Sequence, residues 1–173
     1  MTFGRAAVFV LVGWLALVVT ASLETLLPLP AAVPNLCLLV VLYLGLSGRG
    51  SPTSHVGLAL SLGYLVDLFS GSPRWLHALS FGLVMVVARG ASSRLLVTSV
   101  WQQVLVALLA SFGHSVLLVA LSAPTYDGEA LAALRIAPMT ALFTSLLAPL
   151  SFAIFRRLDR RLSPDPRALR MSV

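Results

Sequence analysis

The sequence predicts an all-α integral membrane protein with about six transmembrane helices. Hydrophobic residues make up 58% of its 173 positions and charged residues only 10%, against about a quarter charged in an ordinary soluble domain. Mean hydropathy is +0.97. The apolar residues also gather into runs approaching the roughly 20 residues needed to cross a ~30 Å hydrocarbon core. So few charges cannot cover a water-facing surface, and the solvent this chain fits is lipid.

Taken in order, the runs place spans at residues 6–23, 31–46, 56–69, 75–88, 95–122 and 136–155. The first, after Arg5, has the outline of a signal peptide ending at Val19-Thr20-Ala21. Its apolar core exceeds the usual ~7–15 residues, and further spans follow, so it reads as an uncleaved helix. Pro28, Pro30 and Pro34 precede the second span. They forbid a continuous helix before Pro34 and point to an extended hairpin, with Asn35 at the span's mouth and a groove suited to a partner's segment. Spans two to four are short, leaving a re-entrant hairpin among them as the alternative. The fifth is long enough to tilt. In the sixth, Thr140, Thr144, Ala148 and Ser151 form a small face for helix packing, and Pro149 predicts a kink. The segment 122–135 reads as the largest loop, and residues 156–173 as a basic tail beginning in an Arg-rich turn.

The net charge of +6 comes entirely from arginine. Six spans would bring Arg5, Arg49, Arg89, Arg94, Arg156, Arg157, Arg160, Arg161, Arg167 and Arg170 to one side, leaving only Arg74 and Arg135 on the other. That asymmetry predicts cytoplasmic termini in an inner-membrane protein. It also explains the basic balance without nucleic acid. Arg156, Arg157, Arg160 and Arg161 are placed to hold anionic lipid headgroups, at about 1 kcal/mol each. Cys37, the single cysteine, excludes an internal disulfide and a cysteine zinc cluster and reads as a small buried hydrophobe.

The polar residues inside apolar runs are the candidates for function. Asp67 stands near the end of the third span, where an acid is costly unless partnered. Gly57, Ser61, Tyr64, Asp67 and Gly71 follow at helical spacing, predicting one small polar face turned into protein. Ser70, Gly71 and Pro73 then form a tight turn, with Arg74 and His77 close by. One reading makes Asp67 a proton or substrate site. The favoured one makes it a corner acid that caps the next helix or pairs with Arg74 or His77. His114, between Ser111 and Ser115, reads as a neutral histidine bonding across helices, because nucleophilic catalysis needs an orienting acid that the sequence does not place. Gln102 and Gln103, after Trp101, are interfacial amides available to a neighbouring helix. No phosphate loop, metal-ligand spacing, paired acids or cofactor motif occurs in the chain. No enzyme and no cofactor are predicted.

The order of these features resembles the MreD family of bacterial rod shape-determining membrane proteins. The resemblance lies in "VPNLCLLVVLYLGL" and "HVGLALSLGYLVDLFSGSPRWLHAL", with "VWQQVLVALLAS" and "LLAPLSFAIFRRLDRRL" similar to later spans. Asp67-Leu68-Phe69-Ser70-Gly71 is its most specific stretch, and Arg74-Trp75 departs from the small or apolar pair frequent in the family. The resemblance implies a fold similar to the six-helix substrate-binding subunits of energy-coupling-factor transporters and no catalytic activity. The partners it implies are MreC, the elongation synthase RodA with its penicillin-binding transpeptidase and, indirectly, MreB filaments. On that reading the chain is a scaffold of peptidoglycan synthesis, with Pro34, Asn35, Asp67, Ser70, Gly71, Pro73 and His77 at a structural or partner-binding corner. Tyr64, Gln102, Gln103 and His114 would then be interhelical polar contacts. The rival is a transporter subunit with an outer pocket lined by Asp67, His77 and His114. An intramembrane enzyme acting on lipid is the third reading.

Overall fold

The computed structural model describes residues 3–26, 33–47, 51–71, 75–92, 99–122 and 129–162. Six helices fill them: α1 (Phe3–Leu26), α2 (Leu36–Leu46), α3 (Pro52–Ser70), α4 (Leu76–Ser92), α5 (Val100–Ser122) and α6 (Glu129–Leu162). The molecule is an all-α membrane protein. Gly4–Leu26, Val100–Ser122 and Leu134–Leu162 are long and apolar enough to cross a bilayer, and Leu36–Leu46 and Leu76–Ser92 are shorter apolar helices.

The centre is α2, Leu-Cys-Leu-Leu-Val-Val-Leu-Tyr-Leu-Gly-Leu. It is apolar on every side, which suits a helix surrounded by other helices or by lipid, and here it is surrounded by helices. Cys37 through Gly45 are all buried, and α2 touches each of the other five helices. It starts where Asn35 caps it, the side-chain oxygen accepting from Leu38 N at 3.0 Å, which satisfies one of the orphan donors of the first turn. Around it, α3 packs most extensively on α4, and α5 on α6. Phe9, Phe152 and Phe155 gather about Tyr43, with ring centroids 5.5 to 6.0 Å away. The outside is apolar too. Leu11, Trp14 and Leu15 on α1, Leu105 and Leu109 on α5, and Leu142, Leu146 and Leu150 on α6 are exposed, as lipid-facing residues should be.

The ends of the bundle are fixed by contacts. Arg5 of α1 meets Asp159 of α6, defining a terminal end that also holds the start of α3 and the end of α4. Asn35, Asp67 and His77 lie at the far end.

The two bounds of α6 depart furthest from the sequence expectation. Helix α6 begins at Glu129, inside the segment read as a loop, because Glu-Ala-Leu-Ala-Ala-Leu-Arg is made of strong helix formers. It also continues through Arg156–Leu162, past the change from apolar to basic residues at which the expected span ends. Polarity marks where lipid contact stops, and arginine and leucine carry a helix past that point.

Candidate functional site

At the far end, the corner is built by α3 and α4. Helix α3 closes on Gly71 in the left-handed conformation at φ 66°, a geometry glycine adopts without Cβ strain. One turn earlier, Asp67 is buried and reaches across to α4. Its Oδ1 accepts from His77 N at 2.9 Å and lies 2.8 Å from His77 Nδ1, while Oδ2 accepts from Ala78 N at 3.3 Å. A carboxylate from one helix thus satisfies two first-turn amides of the next, where the helix dipole favours negative charge.

Close approach of the backbones makes this reach short. A Cβ built at Gly63 would lie 2.5 Å from Ala78 Cα and from the His77 carbonyl oxygen. The polar face expected on α3 is therefore corrected. Gly57 and Ser61 are exposed, the Ser61 hydroxyl donating to its own helix at Gly57 O, 2.8 Å away. The buried face is His55, Leu58, Ala59, Leu62, Gly63 and Asp67. The glycine that matters stands four residues before Asp67, in line with it, and the spacing from Gly57 followed a neighbouring stripe. Half-buried Tyr64 stacks on Trp75, ring centroids 5.1 Å apart. Trp75 itself takes φ 76° at the mouth of α4, an outlying conformation for a bulky residue. Pro73 and Arg74 lie outside the described residues.

Next along α4, Ser80 Oγ lies 2.6 Å from His114 Nδ1 of α5, both side chains buried. The His77 and His114 rings stand 6.1 Å apart, with Phe81 against both. Among the described residues no hydrogen bond joins the two histidines, so the string Asp67–His77–His114–Ser80 is a stack of contacts and makes no continuous proton path.

Pro34 is buried beside Asn35, whose backbone N–H donates to Thr144 Oγ1 at 2.9 Å and ties the start of α2 to α6. Between these elements is a polar pocket of about 310 Å³, lined by Glu24, Asn35, Ser70, His77 and Thr140 together with apolar residues of α1 and α3. Of Asp67, His77 and His114, only His77 lines it, Asp67 being turned onto the α4 amides and His114 lying on a separate apolar groove. Among the described residues no three of His, Cys, Asp and Glu gather closely enough to hold a metal ion.

The amides divide. Gln103 is buried, whereas Gln102 is exposed and turns back to accept from Ser99 N at 3.2 Å, at the start of its own helix. Arg157, Arg160 and Arg161 are exposed and Arg156 is half-buried.

A second polar cluster, at the terminal end, was missed by sequence reasoning. Arg5 Nε and Asp159 Oδ1 are 2.6 Å apart, with side chains 4% and 2% exposed. The Arg5 guanidinium also lies 5.7 Å from the centre of the Phe9 ring. His55 is buried beside them, neither ring nitrogen hydrogen-bonded among the described residues, and close enough to feel Arg5, Arg89 and Asp159 electrostatically. A signal for Asp159 was present: it is the one acid among Arg156, Arg157, Arg160 and Arg161, and it falls at helical spacing from Phe152 and Phe155.

A family model for the rod shape-determining protein MreD matches residues 3–156. The chain belongs to the MreD family. Comparison with curated proteins and with solved structures gives no match. The family match takes in the whole Asp67–His77 corner and involves the chain in rod shape determination. It stops at Arg156, so Asp159, which closes the buried pair with Arg5, lies beyond it.

Proposed function

We propose that this MreD-family chain is a non-enzymatic inner-membrane scaffold of the cell-elongation machinery. It crosses the membrane six times, with the terminal end of the bundle in the cytoplasm. It binds MreC and, through MreC or directly, the synthase RodA and its penicillin-binding transpeptidase, with MreB filaments as an indirect partner. The observation that carries this reading is the family match over residues 3–156. The geometry supports it, because Asp67 and His114, the two candidates for chemistry, are engaged in building the fold. Asp67 makes its bonds to the start of α4, and His114 bonds Ser80. The exposed Arg157, Arg160 and Arg161 suit the headgroups of a cytoplasmic leaflet.

The test is purification of the tagged chain from its own host in mild detergent, with mass spectrometry of what accompanies it. Enrichment of MreC with the synthase and transpeptidase is the expected result. Recovery with ATPase subunits, or with a small molecule held in the polar pocket beside His77, would replace the scaffold with a transporter subunit.

A further inference from the structure

At the far end of the bundle, outermost on the proposed topology, five elements wall the polar pocket: α1, the start of α2, α3, α4 and α6. At about 310 Å³ it stands at the lower limit of the ~300–1,000 Å³ usual for ligand pockets, a size for one long side chain. Two of its polar groups are unsatisfied. Glu24, on α1, is exposed and makes no hydrogen bond or ion pair among the described residues. His77 has its Nδ1 2.8 Å from Asp67 Oδ1. Its Nε2 makes no hydrogen bond among the described residues and is open to solvent, on a side chain 15% exposed.

The sign of these groups selects the occupant. A carboxylate only accepts, so Asp67 keeps the proton on Nδ1, and Nε2 of the neutral ring presents a lone pair. Summed over Glu24, Asp67 and His77, the charge is negative whether or not the ring is protonated. No arginine is among the described residues that line the pocket. What it suits is a cation with several N–H donors. Asn35 adds a second requirement. Its side-chain oxygen is bonded to Leu38 N at 3.0 Å, which leaves its NH₂ to donate, and a backbone carbonyl beside the cation would answer it.

Those two conditions favour an arginine or lysine carried on a protein segment. Leu17, Val66 and Phe69 give the aliphatic stem of such a side chain an apolar wall. An ethanolamine phospholipid also has an ammonium, but its phosphate follows two carbons away and would lie against Glu24 with no lining arginine to receive it. A free amine supplies no carbonyl for Asn35. A second copy would offer Arg135, exposed on α6 at this same end, and the test separates it. We propose that the pocket receives the arginine or lysine side chain of a partner protein's segment at the outer face of the membrane, its cation held by Glu24 and by His77 with Asp67 behind it. With MreC as that partner the inference rests on the scaffold reading and gives it a contact.

The test is co-expression of the intact chain with MreC from the same organism, the wild-type pair being first purified together. A photoreactive residue is placed at Ala21 or Phe69 in the pocket wall and, as controls, at Leu79 of α4 or Leu121 of α5, exposed at the same end. Adducts to MreC from the pocket positions and not from the controls are expected, and the adduct peptide locates the basic residue. Glu24→Gln should lower recovered MreC about tenfold or more while its melting temperature in detergent stays near wild type, since the carboxylate bonds nothing described in the chain. Glu24→Arg should abolish recovery, and changing the located basic residue of MreC to Glu should restore it. Arg135→Gln should leave recovery unchanged. Adducts only to phospholipid, only to a second copy or only within the chain would overturn the proposal, as would equal MreC adducts from the controls. Undiminished recovery with Glu24→Gln would remove the pocket contact and leave the scaffold standing. Failure of the wild-type pair to associate at all would remove both.

Discussion

At the scale of single residues, Asp67 shows how a costly group is made useful. Its carboxylate takes two backbone amides and the His77 ring, so the acid that looked out of place in an apolar run holds the α3–α4 corner. Asp67→Asn retains one oxygen for one amide, whereas Asp67→Ala leaves both unpaired at roughly 1–3 kcal/mol each. Thermal unfolding in detergent should rank wild type, Asn and Ala in that order, and only the Ala variant should fail to restore rods to a strain lacking the gene. Ala matching wild type in both assays would remove the corner's importance. This role was legible in the sequence because an Asp, a glycine turn and a His lie within ten positions of one another. The Arg5–Asp159 pair was not legible. Its members are separated by nearly the whole chain, and only folding brings them together.

Helix α3 carries the lesson at the scale of elements. A four-and-three spacing of small and polar residues is shared by several stripes of one helix, and periodicity alone does not choose which stripe meets a neighbour. Contact distances do. Gly63 faces backbone that cannot rotate away, and Gly57 faces open space. Gly63→Ala should therefore force α3 off α4, with an overpacking cost of about 1–3 kcal/mol or more. Gly57→Ala should match or exceed wild-type stability by up to about 1 kcal/mol through helix propensity. Circular dichroism melts of the two variants in one detergent check the sign of each. Equal melts would mean that α3 and α4 do not approach through Gly63. The existence of six helices was readable beforehand, from the apolar runs; the burial of α2 was not, because in lipid a helix apolar all round can face either the bilayer or other helices. The extent of α6 was not, since composition reports the solvent along a helix and not where the helix stops.

Across the whole molecule, the first and last helices are joined at the terminal end by a buried ion pair, so the bundle is closed by the two segments made furthest apart in time. Removing one member of a buried pair is far more damaging than removing both, because the survivor's desolvation is no longer offset. Asp159→Ala should cost about 3–5 kcal/mol and lower the yield of folded protein. The double variant Arg5→Met with Asp159→Leu should recover much of that loss, since apolar replacements of similar volume are tolerated where a pair was buried. The measurement is a melting curve for wild type, both single variants and the double variant in the same detergent. Recovery in the double variant ties the cost to the pair itself. A loss in the double variant as large as in Asp159→Ala would instead mean that the carboxylate serves other groups at that end, with His55 one candidate. The corner at Asp67 should be unaffected in every one of these variants, because it lies at the opposite end of the bundle. Adding Asp67→Ala to Asp159→Ala should therefore give the sum of the two separate losses. A departure from that sum by more than about 0.5 kcal/mol would show that the two ends of the bundle are coupled through α2.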